Sequence, residues 1–139
     1  MEARLPGNAP ADLGSPADTA TRRRILIVDD NRDSADSMAI LLAMHGYEVR
    51  QVYHGRDALA VAAEFHPDAA LLDIGLPEMS GHELGARLRE VPGLDHVILV
   101  AMSGYGQEHD RQRSVDAGFS HHLVKPVDLD LLHRLLADI

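Results

Sequence analysis

The chain has 139 residues, a formal net charge of −9 at pH 7 and 45% hydrophobic residues. This length and apolar content suit one domain with a sizeable core, and the negative charge argues against direct binding to nucleic acid, because the phosphate backbone favours clustered Lys and Arg. The absence of Cys excludes a disulfide framework and a thiolate metal site. No apolar run approaches the roughly 18 to 20 residues of a bilayer span, and the N-terminus lacks the apolar core of a signal peptide, so we expect a cytoplasmic chain.

Residues 1–23 are rich in Ala, Pro, Gly and small polar side chains, and they show no period of 2 or 3.6. We interpret them as a flexible linker or tail. From residue 24 the pattern changes abruptly to an apolar run, so the predicted domain covers residues 24–139.

Five predicted strands alternate with five predicted helices along this domain. The strand segments are apolar runs, and the helical segments carry apolar side chains at helical spacing between Gly and Pro breakers. The predicted strands cover residues 25–28, 47–53, 69–72, 97–102 and 119–124, and the predicted helices cover residues 34–44, 56–65, 83–90, 107–117 and 130–137. This alternation is typical of an α/β fold, here a flavodoxin-like (βα)5 doubly wound parallel sheet with strand order 2-1-3-4-5.

Polar side chains stand where the predicted strands end. Asp29 and Asp30 follow the first strand, and Asp73 follows the third. The order 2-1-3-4-5 places strands 1 and 3 side by side, so we expect the three carboxylates to meet in one pocket. Ser103 and Lys125, at the ends of strands 4 and 5, are expected to face the same pocket.

Three carboxylates at such short range repel one another unless a cation or a function compensates. Oxygen ligands without His or Cys point to Mg²⁺, which prefers a site shared with phosphate. A hydroxyl donor and a fixed ammonium opposite a metal-bound carboxylate form a phosphoryl-transfer site. In such a site Asp73 attacks phosphorus, Mg²⁺ and Lys125 neutralise the transferred oxygens, and Ser103 hydrogen-bonds to one of them.

These motifs resemble the receiver domain of two-component response regulators over residues 24–139. The intervals of 30 residues from Asp73 to Ser103 and of 22 residues from Ser103 to Lys125 fall where that family has them. The resemblance is carried by Asp29-Asp30-Asn31, by Leu76-Pro77-Glu78-Met79-Ser80-Gly81 and by Lys125-Pro126, each after a predicted strand.

The resemblance implies that Asp73 is the phosphoacceptor. Its partner would be a histidine kinase or a histidine phosphotransfer domain, and its product an aspartyl phosphate. By the same resemblance, Asp30, Asp73 and the backbone carbonyl of Gly75 ligate Mg²⁺ directly, while Asp29 acts through water.

Further expectations from the resemblance concern the phosphoryl pocket. Lys125 would pair with Asp73 at rest and with the phosphoryl group afterwards, and Gly104 would leave room beside that group. The Lys125–Pro126 peptide bond would be cis.

One position departs from the family pattern. Receivers usually carry Tyr or Phe three residues before the lysine. Its rotamer follows the hydroxyl residue, here Ser103, and this reshapes the face of helix 4, strand 5 and helix 5. This chain has His122 there, and an imidazole is costlier to bury without a partner. We therefore expect a weaker switch or a pH-dependent coupling.

Two other functions stay open. The chain could be a pseudo-receiver that serves only as a docking module, although the intact acidic set argues against this. A haloacid-dehalogenase-type phosphatase would also use an Asp nucleophile with Mg²⁺, but it needs a second Asp where this chain has Gly75. As a receiver, the domain would catalyse only its own phosphotransfer and autodephosphorylation.

We also expect a place in a longer protein. Residues 2–6, Glu-Ala-Arg-Leu-Pro, resemble the end of a histidine-kinase ATP-binding domain. With the linker, they favour the C-terminal receiver of a hybrid sensor histidine kinase tethered to a membrane, over a stand-alone regulator or a phosphorelay intermediate. The domain is expected to be a monomer or a weak dimer through helix 4, strand 5 and helix 5.

Overall fold

The computed structural model describes residues 22–104 and 111–138. The strands are β1 (Arg24–Val28), β2 (Glu48–Val52), β3 (Ala69–Asp73), β4 (Ile98–Ser103) and β5 (His121–Val124). The helices are α1 (Arg32–Met44), α2 (Gly55–Phe65), α3 (Gly81–Arg89), α4 (Arg111–Asp116) and α5 (Leu129–Ala137). Most of the predicted linker, the motif at residues 2–6 and the start of the predicted fourth helix lie outside the described residues.

The strands form one parallel sheet in the order β2-β1-β3-β4-β5. The flavodoxin-like fold predicted from the sequence is therefore confirmed. In the register of the two central strands, Val28 lies beside Leu72, so the residues that follow β1 adjoin Asp73 at the end of β3. This pairing fixes the edge of the sheet at which the polar side chains meet.

The core has two layers because alternate residues of each buried strand point to opposite faces of the sheet. On one face Leu26 and Val28 pack with buried side chains of α2 and α3, and on the other Ile25 and Ile27 pack with those of α1 and α5. The sheet is thereby covered on both sides. No helix within residues 22–104 and 111–138 is long and apolar enough to cross a membrane.

Two helices begin two residues earlier than the apolar pattern predicts, because a side chain caps each one. The Asn31 side chain accepts a hydrogen bond from the Ser34 amide and starts α1, and the Ser80 hydroxyl accepts one from the Glu83 amide and starts α3. Such caps satisfy amides that have no partner inside the helix. Asn31 and Ser80 belong to the motifs that follow β1 and β3, so both helices begin close to the site.

The last strand is shorter than predicted. The Phe119 amide donates to the carbonyl of Ser114 within α4, and β5 starts only at His121. The Phe119 side chain instead packs into the core beside Gly85 of α3.

Candidate functional site

The two acidic residues after β1 differ in exposure. Asp29 is 1% exposed, and its Oδ1 atom accepts a hydrogen bond of 3.0 Å from the Asn31 amide. Asp30 is exposed to solvent. The turn into α1 therefore buries one carboxylate and presents the next one at the surface of the pocket.

Asp73 ends β3 and is 7% exposed. Its Oδ1 atom accepts a hydrogen bond of 2.8 Å from the Gly75 amide, so the turn after the strand orients the carboxylate. The first residue of α3, Gly81, lies directly against this turn, where a Cβ atom would come within 2.7 Å of the Asp73 carbonyl oxygen. A glycine is needed here because no side chain fits between the helix and the turn.

The structure brings Asp29, Asp30 and Asp73 together, with one carboxylate oxygen of each within 4.8 Å of the others. This set contains only oxygen donors and one exposed carboxylate, which fits Mg²⁺ better than the metals that prefer His or Cys ligands. The predicted contribution of the Gly75 carbonyl stays a prediction.

Lys125 lies between two of these carboxylates. Its Nζ atom donates hydrogen bonds of 2.9 Å to Asp29 Oδ2 and of 3.1 Å to Asp73 Oδ2. Burial alone would lower the pKa of Lys125, but the hydrogen bonds and charges of Asp29 and Asp73 outweigh it and raise that pKa above its ordinary value of 10.5. The resting contact with Asp73 matches the expectation, whereas the contact with Asp29 was not anticipated. The Lys125–Pro126 peptide bond is cis, as the resemblance implied.

Ser103 ends β4 and is completely buried. Its Oγ atom lies 2.8 Å from Nε2 of His122, which is 8% exposed in the adjacent strand β5. The imidazole therefore does have a polar partner in the interior, which removes the objection to burying it. Gly104 follows Ser103 and is half-buried.

Two residues that the sequence analysis did not single out extend this contact. The Nδ1 atom of His122 lies 2.9 Å from Oγ of Ser114 in α4, and that hydroxyl lies 2.8 Å from Nε2 of His82 in α3. Ser114 is 1% exposed, and this burial is visible only in the structure, so the sequence carried no signal for it. His82 gave none, because its partner is 32 residues away in sequence.

Comparison with known proteins identifies this arrangement. A family model described as the response regulator receiver domain matches residues 25–137. The chain belongs to the response regulator receiver family. This receiver domain is a module of two-component signalling, in which such domains interact with histidine kinases or phosphotransfer proteins and generally bind Mg²⁺ at an acidic cluster of this kind.

Individual relatives of the receiver domain agree with this assignment. It is 32% identical over 107 residues to the polar-differentiation response regulator DivK of Brucella ovis, covering 77% of this chain and 87% of that protein. It is 34% identical to the DNA-binding dual master transcriptional regulator RpaA of Synechocystis, but it spans only 48% of that protein. A solved receiver domain from Methylobacillus flagellatus is 31% identical, with a TM-score of 0.77 and coverage of 85% of this chain and 98% of that one.

Proposed function

We propose that this receiver domain accepts a phosphoryl group on Asp73 from the phosphohistidine of a histidine kinase or a histidine phosphotransfer domain. The observation that carries the proposal is the position of the Asp73 carboxylate. It is held by the Gly75 amide, it is paired with Lys125 and it lies within the oxygen cluster at the strand ends.

The transfer balances without an added reactant. An oxygen of Asp73 forms a bond to phosphorus as the phosphorus–nitrogen bond of the phosphohistidine breaks. The electron pair of that bond returns to the imidazole nitrogen of the donor. The nucleophile is the carboxylate itself, so no proton has to be removed in this step.

The neighbouring side chains stabilise the charge of the transferred group. Lys125 exchanges its contact with Asp73 for the phosphoryl oxygens, and Ser103 donates a hydrogen bond to one of them. Asp29, Asp30 and Asp73, with the Gly75 carbonyl, would hold Mg²⁺. When bound, this ion supplies positive charge for the phosphoryl oxygens.

Phosphorylation by acetyl phosphate tests this function. The purified chain is incubated with acetyl phosphate, with and without Mg²⁺, and resolved on a phosphate-affinity gel beside Asp73→Asn. The control is Asp95→Asn, since the Asp95 carboxylate is 72% exposed and lies outside the acidic cluster. We expect a Mg²⁺-dependent retarded band in the wild type and in the control, and none in Asp73→Asn.

Two results would contradict the phosphoacceptor function. A retarded band that survives in Asp73→Asn would place the phosphoryl group elsewhere. If the wild type gave no band and also failed to bind Mg²⁺ in a titration, the domain would be a docking module that keeps the fold without the chemistry.

The surface formed by α4, β5 and α5 is the output face. Phosphorylation is proposed to change partner binding at this face. Two apolar side chains are exposed there, Val115 at 60% and Leu131 at 38%, and both line a groove of about 350 Å³. His122 lines the same groove and contacts Ser103, so it joins the phosphoryl pocket to this face.

The domain is further proposed to belong to a hybrid sensor histidine kinase tethered to a membrane, on the strength of residues 2–6 and the linker up to residue 23. The catalytic activity of such a protein would lie mainly outside this domain. The sequence of the whole gene tests this, and a gene without an upstream kinase module would exclude it.

A further inference from the structure

Four side chains form a continuous hydrogen-bonded row that leads away from the phosphoryl pocket. Ser103 Oγ lies 2.8 Å from His122 Nε2, His122 Nδ1 lies 2.9 Å from Ser114 Oγ, and Ser114 Oγ lies 2.8 Å from His82 Nε2. Ser103, His122 and Ser114 are buried. The row thus connects β4, β5, α4 and α3 through the interior.

Each of the three hydrogen bonds in the row uses one proton. The number of donors is limited, because a neutral imidazole has one N–H and a hydroxyl has one O–H. The tautomer of His122 therefore decides what Ser103 can do. If the proton is on Nδ1, then Nε2 must accept, and the contact with Ser103 uses the serine's only proton. If the proton is on Nε2, then His122 donates to Ser103 and that hydroxyl proton remains available.

The Nε2–H tautomer of His122 also determines the direction of the hydrogen bond between Ser114 and His82. With Nδ1 as acceptor, Ser114 must donate to it, so the contact of Ser114 with His82 requires His82 to donate from Nε2. A donor at position 82 thus directs the Ser114 proton toward His122.

We propose, on the basis of the phosphoacceptor function above, that His82 and Ser114 are positioning residues that hold His122 as its Nε2–H tautomer, so that Ser103 donates its proton to the phosphoryl group. His82 donates to Ser114, Ser114 donates to His122, and His122 donates to Ser103.

The burial of the row supports this direction. Ser103 is to donate to a phosphoryl oxygen, and under the opposite tautomer it would have to withdraw its proton from His122 Nε2. That step would break the hydrogen bond between Ser103 and His122 in the interior, which costs free energy. Under the proposed tautomer all three contacts persist while Ser103 donates. All three bonds join residues of different strands or helices, so the packing of the fold sets their geometry.

The tautomer can be read directly from a ¹⁵N-labelled sample. Long-range ¹H–¹⁵N spectra distinguish the two ring nitrogens of each of the nine histidines, and comparison with His122→Gln assigns His122. The spectra are recorded at pH 8.5, about two units above the ordinary His pKa of roughly 6.5. We expect the proton on Nε2 of His122, and a proton on Nδ1 would overturn the proposal.

Matched substitutions at position 82 test the positioning role. His82→Phe keeps a ring against Phe119, whose centroid lies 5.6 Å from that of His82, but it removes the N–H donor. His82→Gln keeps a donor. We expect His82→Phe to show both tautomers of His122 and a phosphorylation rate with acetyl phosphate that is about two- to tenfold lower, as for loss of one hydrogen bond.

His82→Gln should restore both the tautomer and the rate, and Mg²⁺ affinity should be equal in all three proteins. Equal tautomer populations and rates in His82→Phe and the wild type would overturn the role of His82. A lower rate in both variants with an unchanged tautomer would show that His82 acts through packing alone.

A second pair of variants keeps the test valid if His82→Phe does not fold. Ser114→Ala removes the middle of the row, and Ser120→Ala changes an exposed serine just before β5. Only Ser114→Ala should alter the tautomer of His122 and the rate. The spectra need no phosphoryl donor, so they test the tautomer independently of the phosphoacceptor function. If that function fails, the wild type would show the Nε2–H tautomer of His122 but would not be modified by acetyl phosphate. That result would reduce the row to a structural element.

Discussion

At the scale of single residues, the choice of lysine at position 125 is informative. Lys125 is the only lysine of the chain, and every other Lys or Arg position is arginine. An ammonium is a compact charge on a flexible stem, so it can contact two carboxylates at rest and turn toward a phosphoryl group later, whereas a guanidinium has a fixed fork. The contacts with Asp29 and Asp73 show the resting half of that behaviour.

Because the chain has a single lysine, the pKa of Lys125 can be measured directly. In a sample labelled with [¹⁵N]lysine, Lys125 gives one side-chain signal, and we expect its pKa to lie above 10.5 in the folded protein. Because the folded pKa is raised, the ion pairs contribute stability that is fully present below the unfolded pKa of about 10.4 and is lost as the pH rises through the folded pKa. Asp29→Asn should lower the measured pKa, and a titration identical in the two proteins would contradict the assigned cause.

At the scale of helices and strands, the contact between α3 and the turn after β3 brings the start of the helix close to Asp73. Gly81 and Gly55 are both the first residue of a helix, and both are buried. A Cβ atom at position 81 would lie 2.7 Å from backbone atoms, whereas one at position 55 would meet the Met79 side chain at an ordinary 3.5 Å.

We therefore expect Gly81→Ala to lower the free energy of unfolding by about 1 to 3 kcal/mol, the usual range for overpacking. Gly55→Ala should change it by less than about 1 kcal/mol, or raise it, because alanine favours the helix. Urea unfolding midpoints of the two variants measure the difference. Similar midpoints would show that the turn moves aside without cost.

The sequence predicts much at this scale, because strand ends are readable as local motifs. The strand order, and with it the meeting of Asp29, Asp30 and Asp73, followed from the alternation of apolar runs and helices. The His82–Ser114 contact could not be predicted, since it joins two helices through their packing and has no local pattern. The bridge from Lys125 to Asp29 was missed for a similar reason, as side-chain direction at the edge depends on tertiary contacts.

At the scale of the whole molecule, large apolar side chains among the described residues are exposed both on the output face and on α1. Val115 of the output face is 60% exposed, and Ile40 of α1 is 62% exposed.

If phosphorylation acts at the output face, then beryllofluoride with Mg²⁺, which mimics the phosphoryl group, should increase self-association of the wild type in sedimentation velocity. Val115→Glu should abolish the increase, and Ile40→Glu, matched in exposure, should preserve it. An equal loss in both variants would argue against the output face.

If Asp73 is phosphorylated as proposed, the Lys125 bridge limits how far the change in charge extends from the site. Exchanging one carboxylate charge for a phosphoryl group of about two charges alters the local charge by only about one unit, whatever cation is present. Lys125 already contacts two carboxylates, so its ammonium group can turn toward the added negative charge and offset part of it. Salt screens the remaining charge beyond about 10 Å. A distant partner would therefore sense little change in electric field. A change at Asp73 would therefore reach another surface of the domain through rearrangement of side chains that contact one another.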